Sequence, residues 1–199
     1  MTFSIDQFRL DGKVAIVTGA GGRGNSIGRA YALGLAAAGA SVVVADINED
    51  GAKAVAAEIA SAGGKALGLR TDITDQASVA AMTAAAETEF GGVDILVNNA
   101  ALMVEIVATP AIQHTTEQWN RAFAVNVTGA LNCSQAVVPL MAKRGGGKII
   151  NQVSGGAFPA STVYGITKIA LVGLTTTLAR ELGGQNINVN AIAPGNTMS

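Results

Sequence analysis

The stretch Val14-Ala15-Ile16-Val17-Thr18-Gly19-Ala20-Gly21-Gly22-Arg23-Gly24-Asn25-Ser26-Ile27-Gly28 decides the fold. It opens with a short apolar, β-branched run, which predicts a buried strand over residues 14–18. Glycines crowd the next segment and let the backbone turn tightly and lie close against a bound group. An Ala-rich helix is predicted over residues 27–38, ended by Gly39. Strand, glycine turn and helix start, in that order, make a phosphate cradle, because the first N–H groups are free and the dipole end is positive. The alternative is a plain flexible turn, which the position between strand and helix disfavours.

The same alternation runs outward along the chain. Strands are predicted over residues 41–46, 66–70, 93–98, 148–153 and 186–193. Helices are predicted over 48–62 and 78–90, each stopped by a glycine pair, and over 164–182. Thr115 reads as an N-cap with Gln118 as its capping-box partner, opening a long helix that ends near Arg144. Apolar strands alternating with helices predict an α/β protein, a parallel sheet covered on both faces. No linker or repeat divides residues 1–199, which are expected to form one domain. The longest irregular stretch, 101–114, leaves the carboxyl edge of the sheet, where ligands bind in such folds.

Composition narrows the function. Of 199 residues, 49% are hydrophobic and 14% charged, with a net charge of −1 and 4% aromatics. That balance offers no electrostatic footprint for nucleic acid or an anionic membrane, and no stacking platform for single strands. No stretch approaches the ~20 uncharged apolar residues that a membrane span needs. The N-terminal segment carries Asp6, Arg9 and Asp11 and has no apolar core of a signal peptide, so the default location is cytoplasmic. One cysteine, Cys133, and one histidine, His114, make neither a disulfide nor a metal cluster. Cys133 reads as a buried structural thiol and His114 as a loop surface residue.

Several polar residues carry chemistry. Asp46 ends the second strand, where a carboxylate accepts hydrogen bonds from adenosine ribose hydroxyls and repels a 2′-phosphate. That favours NAD over NADP, with Arg23 as the dissenting charge. The competing role for Asp46 is an N-cap for the following helix. Tyr164 and Lys168 stand four apart near a helix start and share one face. A nearby ammonium is expected to favour the phenolate, so that Tyr164 exchanges a proton with an alcohol or carbonyl oxygen. Ser154, ten residues upstream, can stabilise charge developing on the same oxygen. Taken alone, Tyr164 and Lys168 would be an ordinary surface pair. Asn126 sits mid-helix, where asparagine has poor propensity and often bends the helix.

Together, Thr18-Gly19 with Gly28, Asp72, Asn98-Asn99-Ala100, Asn126, Ser154, Tyr164-Gly165-Ile166-Thr167-Lys168 and Pro194-Gly195 resemble the classical short-chain dehydrogenase/reductase family. The segment 150–194 is similar to bacterial hydroxysteroid dehydrogenase-like, carveol dehydrogenase-like and oxoacyl-carrier-protein reductase-like members. The resemblance implies a three-layer Rossmann fold, doubly wound, with strand order 3-2-1-4-5-6. It implies NAD(P)-dependent hydride transfer between a secondary alcohol and a ketone, with Asn126, Ser154, Tyr164 and Lys168 as the catalytic set. Asn126 would hold a water that continues the proton relay from Lys168.

The resemblance also implies a cofactor site. Gly19, Gly22, Ser26 and Ile27 would line the phosphates. Asp46 would hold the adenosine ribose, and Asp72 and Ile73 the adenine. Asn98 and Ala100 would flank the ribose and support the central strand, and Tyr164 with Lys168 would hold the nicotinamide ribose. Pro194, Gly195 and Thr197, with Ser199 beyond, would approach the carboxamide. No metal is implied. The partner would be a small molecule, neither nucleic acid nor membrane. Homo-oligomerisation, as dimer or tetramer, would run through the helices that carry Asn126 and Tyr164.

Four departures from the family pattern stand out. The glycine loop holds three extra residues, and Ser26 takes the middle glycine's place. Ala100 replaces a glycine. The Ser154–Tyr164 loop is short. The chain stops before a seventh strand, which reads as truncation of a longer enzyme and leaves the sixth strand as a sheet edge. The loops 101–114 and 155–163 are mostly apolar (Leu102, Met103, Val104, Ile106, Phe158, Pro159), which suggests an apolar or alicyclic alcohol or ketone. The competing functions are a non-catalytic dinucleotide-binding protein and an inactive fragment.

Overall fold

The computed structural model describes residues 4–22, 26–158 and 160–195. Arg23, Pro159, Thr197 and Ser199 therefore lie outside the described residues, and so does most of the lengthened loop. The strands are β1 (Val14–Thr18), β2 (Ser41–Asp46), β3 (Lys65–Arg70), β4 (Ile95–Asn98), β5 (Gly147–Gln152) and β6 (Ile187–Ile192). All pair in parallel, in the order β3-β2-β1-β4-β5-β6. This is the doubly wound order that the resemblance implied. The order reverses between β1 and β4, and that switch point opens a crevice at the carboxyl ends.

Side-chain alternation sends successive strand residues to opposite layers. Ala15, Val17, Val42 and Val44 pack with Ala32, Ala52, Val55 and Ile59 from α1 (Ile27–Ala37) and α2 (Glu49–Ser61). Ile16, Val43, Leu96 and Ile149 face the other way. They meet Met82 from α3 (Gln76–Phe90), Met141 from α6 (Gly129–Lys143) and Leu178 from α7 (Val163–Leu182). Each fully buried Val, Ile or Leu of this kind contributes about 1.5–3 kcal/mol.

Three local findings differ from the sequence reading. The stretch 101–114 is not wholly irregular: it holds a short helix, α4 (Val104–Val107), and a 3-10 turn over Ala111–Gln113. The long helix after Thr115 is divided. Its first part, α5 (Thr116–Phe123), begins with the expected capping box, and a π-helical turn over Ala124–Thr128 separates it from α6. His114 is half-buried, with Nδ1 3.1 Å from Pro110 O and Nε2 buried without a partner, so it is less exposed than a surface residue. Cys133 is fully buried, and burial pushes its thiol up to about 12. No helix among the described residues is long and apolar enough to cross a membrane.

Candidate active site

The glycine turn is held by contacts that exclude side chains. Gly19 has φ +67°, and a Cβ there would lie 2.6 Å from Ala100 Cα. A Cβ on Gly28 would lie 2.3 Å from Gly19 O. Thr18 and Asn99 fasten the turn to the end of β4. Thr18 Oγ1 accepts from Asn99 N–H at 3.1 Å and from Ala100 N–H at 3.2 Å. Asn99 Nδ2 donates to Thr18 O and Gly19 O, both at 2.8 Å. Ser26, in place of a glycine, is the N-cap of α1, its hydroxyl accepting from Arg29 N–H at 3.3 Å. The N–H groups of Ile27 and Gly28 belong to the first turn and have no intrahelical acceptor.

Asp46, the last residue of β2, is held beside the glycine turn. Its Oδ2 accepts from Gly21 N–H at 2.9 Å and its Oδ1 from Asn48 N–H at 2.9 Å. The alternative role of Asp46 as N-cap of α2 is not what the structure holds. Asn48 is the cap, with Oδ1 accepting from Gly51 N–H at 3.3 Å. Gly21 thus rests on α2, and a Cβ on Gly51 would fall 1.9 Å from Gly21 O. Asp72 follows β3, and hydrogen bonds from the Thr74 hydroxyl (2.7 Å) and N–H (2.9 Å) hold its carboxyl below the usual carboxylate range.

The opposite end gathers Ser154, Tyr164 and Lys168. Ser154 Oγ accepts from Gly156 N–H at 3.1 Å and is hydrogen-bonded to the Tyr164 phenol. The expected lowering of the Tyr164 pKa is not found. Burial raises it, and only the Ser154 bond works the other way. Lys168 Nζ lies over the ring face, 5.4 Å from its centroid. Lys168 is itself only 1% exposed, and burial pulls it down to about 8. Its ammonium donates to Gln152 O at 2.8 Å.

Asn126 lies in the π-helical turn and is fully buried. Its Oδ1 accepts from Leu102 N–H at 2.7 Å, while Nδ2 donates to Leu102 O and Thr167 Oγ1, both at 2.9 Å. Both amide hydrogens are committed, so the side chain has no donor left for a water.

A cleft of about 760 Å³ joins the two ends. Gly19, Gly22, Ser26, Ile27 and Asp46 line it, followed by Asp72, Ile73 and Ala100, and then Ser154, Tyr164, Pro194 and Gly195. Three expected residues stand apart. Lys168 and Asn126 are buried behind the lining. Asn98 is not among the lining residues, and its side chain supports the central strand. It shares the face of Leu96, and its Nδ2 donates to Asn151 Oδ1 at 2.9 Å, so it fastens β4 to β5. Sequence reading missed Thr71, Asn99 and Gln152, all lining the cleft. Thr71 Oγ1 and Gln152 Oε1 are buried without partners among the described residues.

Bare backbone at Gly19 and Gly28, free N–H groups at the start of α1 and orphaned acceptors at both ends fit an extended dinucleotide. Comparison with known proteins agrees. The short chain dehydrogenase family (adh_short) matches residues 13–199. An uncharacterized oxidoreductase of Mycobacterium tuberculosis is 50% identical over 186 residues, 94% of this chain and 74% of that protein. The sorbitol dehydrogenase of Cereibacter sphaeroides is 44% identical over 191 residues, 94% of this chain and 71% of that protein. A solved structure of 7 alpha-hydroxysteroid dehydrogenase complexed with NADH and 7-oxo glycochenodeoxycholic acid superposes with a TM-score of 0.88 at 42% identity, covering 98% of this chain and 74% of that one. The protein is thus an NAD(P)-dependent oxidoreductase acting on alcohol and ketone groups. Within that class it belongs to the short chain dehydrogenase family.

Proposed function

We propose that this chain interconverts a secondary alcohol and a ketone with NAD(H) in preference to NADP(H), using Tyr164 as general acid and base. The observation that carries the reading is the juxtaposition of Ser154, Tyr164 and buried Lys168 at the end of a cleft whose other end is Asp46. When bound, the nicotinamide supplies the hydride acceptor or donor. Tyr164 takes the hydroxyl proton of the alcohol or returns it to the carbonyl oxygen. Ser154 hydrogen-bonds that same oxygen and steadies its developing charge. Lys168 keeps a positive charge beneath the ring, and Asn126 fixes Leu102 and Thr167 around it.

Asp46 supports NAD, because its carboxylate sits where a 2′-phosphate would have to approach. The solved relative bound to NADH agrees. An apolar or alicyclic substrate is supported by Leu102, Met103 and Val104 in the cleft wall, the last two 46% and 75% exposed. The relative complexed with a bile acid derivative points the same way. The reading extends to a homo-oligomer, the assembly that the family resemblance implies.

The test begins with separate calorimetric titrations of NADH and NADPH. NADH is expected to bind at least tenfold more tightly, and the reverse order would remove the role given to Asp46. Tyr164→Phe is then expected to lower turnover of a steroid or alicyclic alcohol by about 100-fold or more while NADH affinity stays within threefold. Undiminished turnover in that variant would overturn the assignment.

A further inference from the structure

We propose that Gln152 is a cofactor-binding residue, its side-chain amide oxygen accepting a hydrogen bond from a donor on the nicotinamide half of the dinucleotide. The inference rests on the function proposed above and deepens it.

Gln152 is the last residue of β5 and lines the cleft. Val153, its neighbour, is buried among Ala130 and Leu171 from α6 and α7. Gln152, Val153 and Ser154 all border the cleft, and alternation along the extended chain turns the Gln152 and Ser154 side chains to the face opposite that of Val153. Gln152 Oε1 is buried and accepts no hydrogen bond from any described residue. A buried amide oxygen without a donor is unfavourable, so it is either an unexplained defect or an acceptor kept for a ligand. Its surroundings favour the ligand. The main-chain carbonyl of the same residue receives the Lys168 ammonium at 2.8 Å. One residue thus fixes the catalytic cation with its backbone and presents an unused acceptor with its side chain. A glutamine oxygen selects N–H or O–H donors. At the catalytic end of the cleft the dinucleotide carries two kinds, the carboxamide N–H and the ribose hydroxyls.

The experiment titrates NADH, ADP-ribose and ADP into the wild type, Gln152→Met and Gln152→Glu. Methionine keeps the length of the side chain and removes the acceptor. Glutamate keeps the acceptor. Gln152→Met is expected to weaken NADH five- to tenfold, Gln152→Glu by no more than threefold, and neither to change ADP. A loss confined to NADH assigns the carboxamide, and a loss shared with ADP-ribose assigns the ribose, since ADP-ribose retains that sugar. Unchanged NADH affinity in Gln152→Met, with ADP binding retained, overturns the proposal while leaving the oxidoreductase reading intact. A wild type that binds ADP but not NADH overturns both. Should Gln152→Met lose ADP as well, its fold has failed, and Gln152→Thr carries the same three titrations.

Discussion

Lys168 is buried where a lysine is least at ease, and the consequence is measurable. Its pKa falls from 10.5 to about 8 because burial penalises the ammonium. Between those values the unfolded chain still binds the proton and the folded chain has released it. Stability therefore rises with pH across that window, and the full penalty is felt below it. The difference in unfolding free energy between wild type and Lys168→Met should grow by about 3 kcal/mol across it, in favour of the wild type. Urea denaturation at stepped pH measures this directly. Cys133 titrates in the opposite sense but is common to both chains and cancels in the difference. A flat difference would mean that the ammonium is well solvated. Lys168→Met is also expected to lose turnover, so the site trades stability for charge.

At the scale of elements, the decisive contact joins the glycine loop to α2. Gly21 and Gly51 meet backbone to backbone, and Asn48 donates to Gly21 O at 3.3 Å. Gly51→Ala should drive the loop away from Asp46 and weaken NADH by about tenfold, with a loss of about 1–3 kcal/mol in stability. Calorimetric titration and thermal unfolding of that variant check both. An alanine tolerated without effect would show that the loop yields freely. This contact was not legible in the sequence, because Gly51 reads there only as a weak helix residue. The strand and helix alternation was legible, since glycines stop each helix and β-branched runs mark each strand. Strand parity also carries information: Asn98 stands two residues from Leu96, which faces α6, and Gln152 stands two from Ser154. The π-helical turn around Asn126 left only the trace of a polar residue in mid-helix. The four-residue α4 is too short to impose a period.

Across the whole molecule, stability and chemistry sit at opposite edges of the sheet. At the amino edge Asp94 is buried, accepting from Val14 N–H at 2.8 Å and pairing with Arg144 at 3.0 Å and Lys13 at 3.5 Å. Arg144 also donates to Gly12 O at 2.9 Å, tying the end of α6 to the entry of β1. Asp94→Ala leaves a partly buried guanidinium and a strand N–H without their acceptor, and should destabilise the fold by about 3 kcal/mol. NADH affinity should change by less than twofold, because the cleft lies at the other ends of the same strands. A matching loss of affinity would show that the two edges are coupled.

The lone thiol gives the chain its own clock. Cys133 has no exposed surface and, with its pKa pushed up to about 12, holds almost no thiolate at neutral pH. An alkylating reagent can reach it only when α6 parts from the sheet. The rate of labelling therefore counts those openings, and a ligand that tightens the fold should slow the count without touching the sulfur.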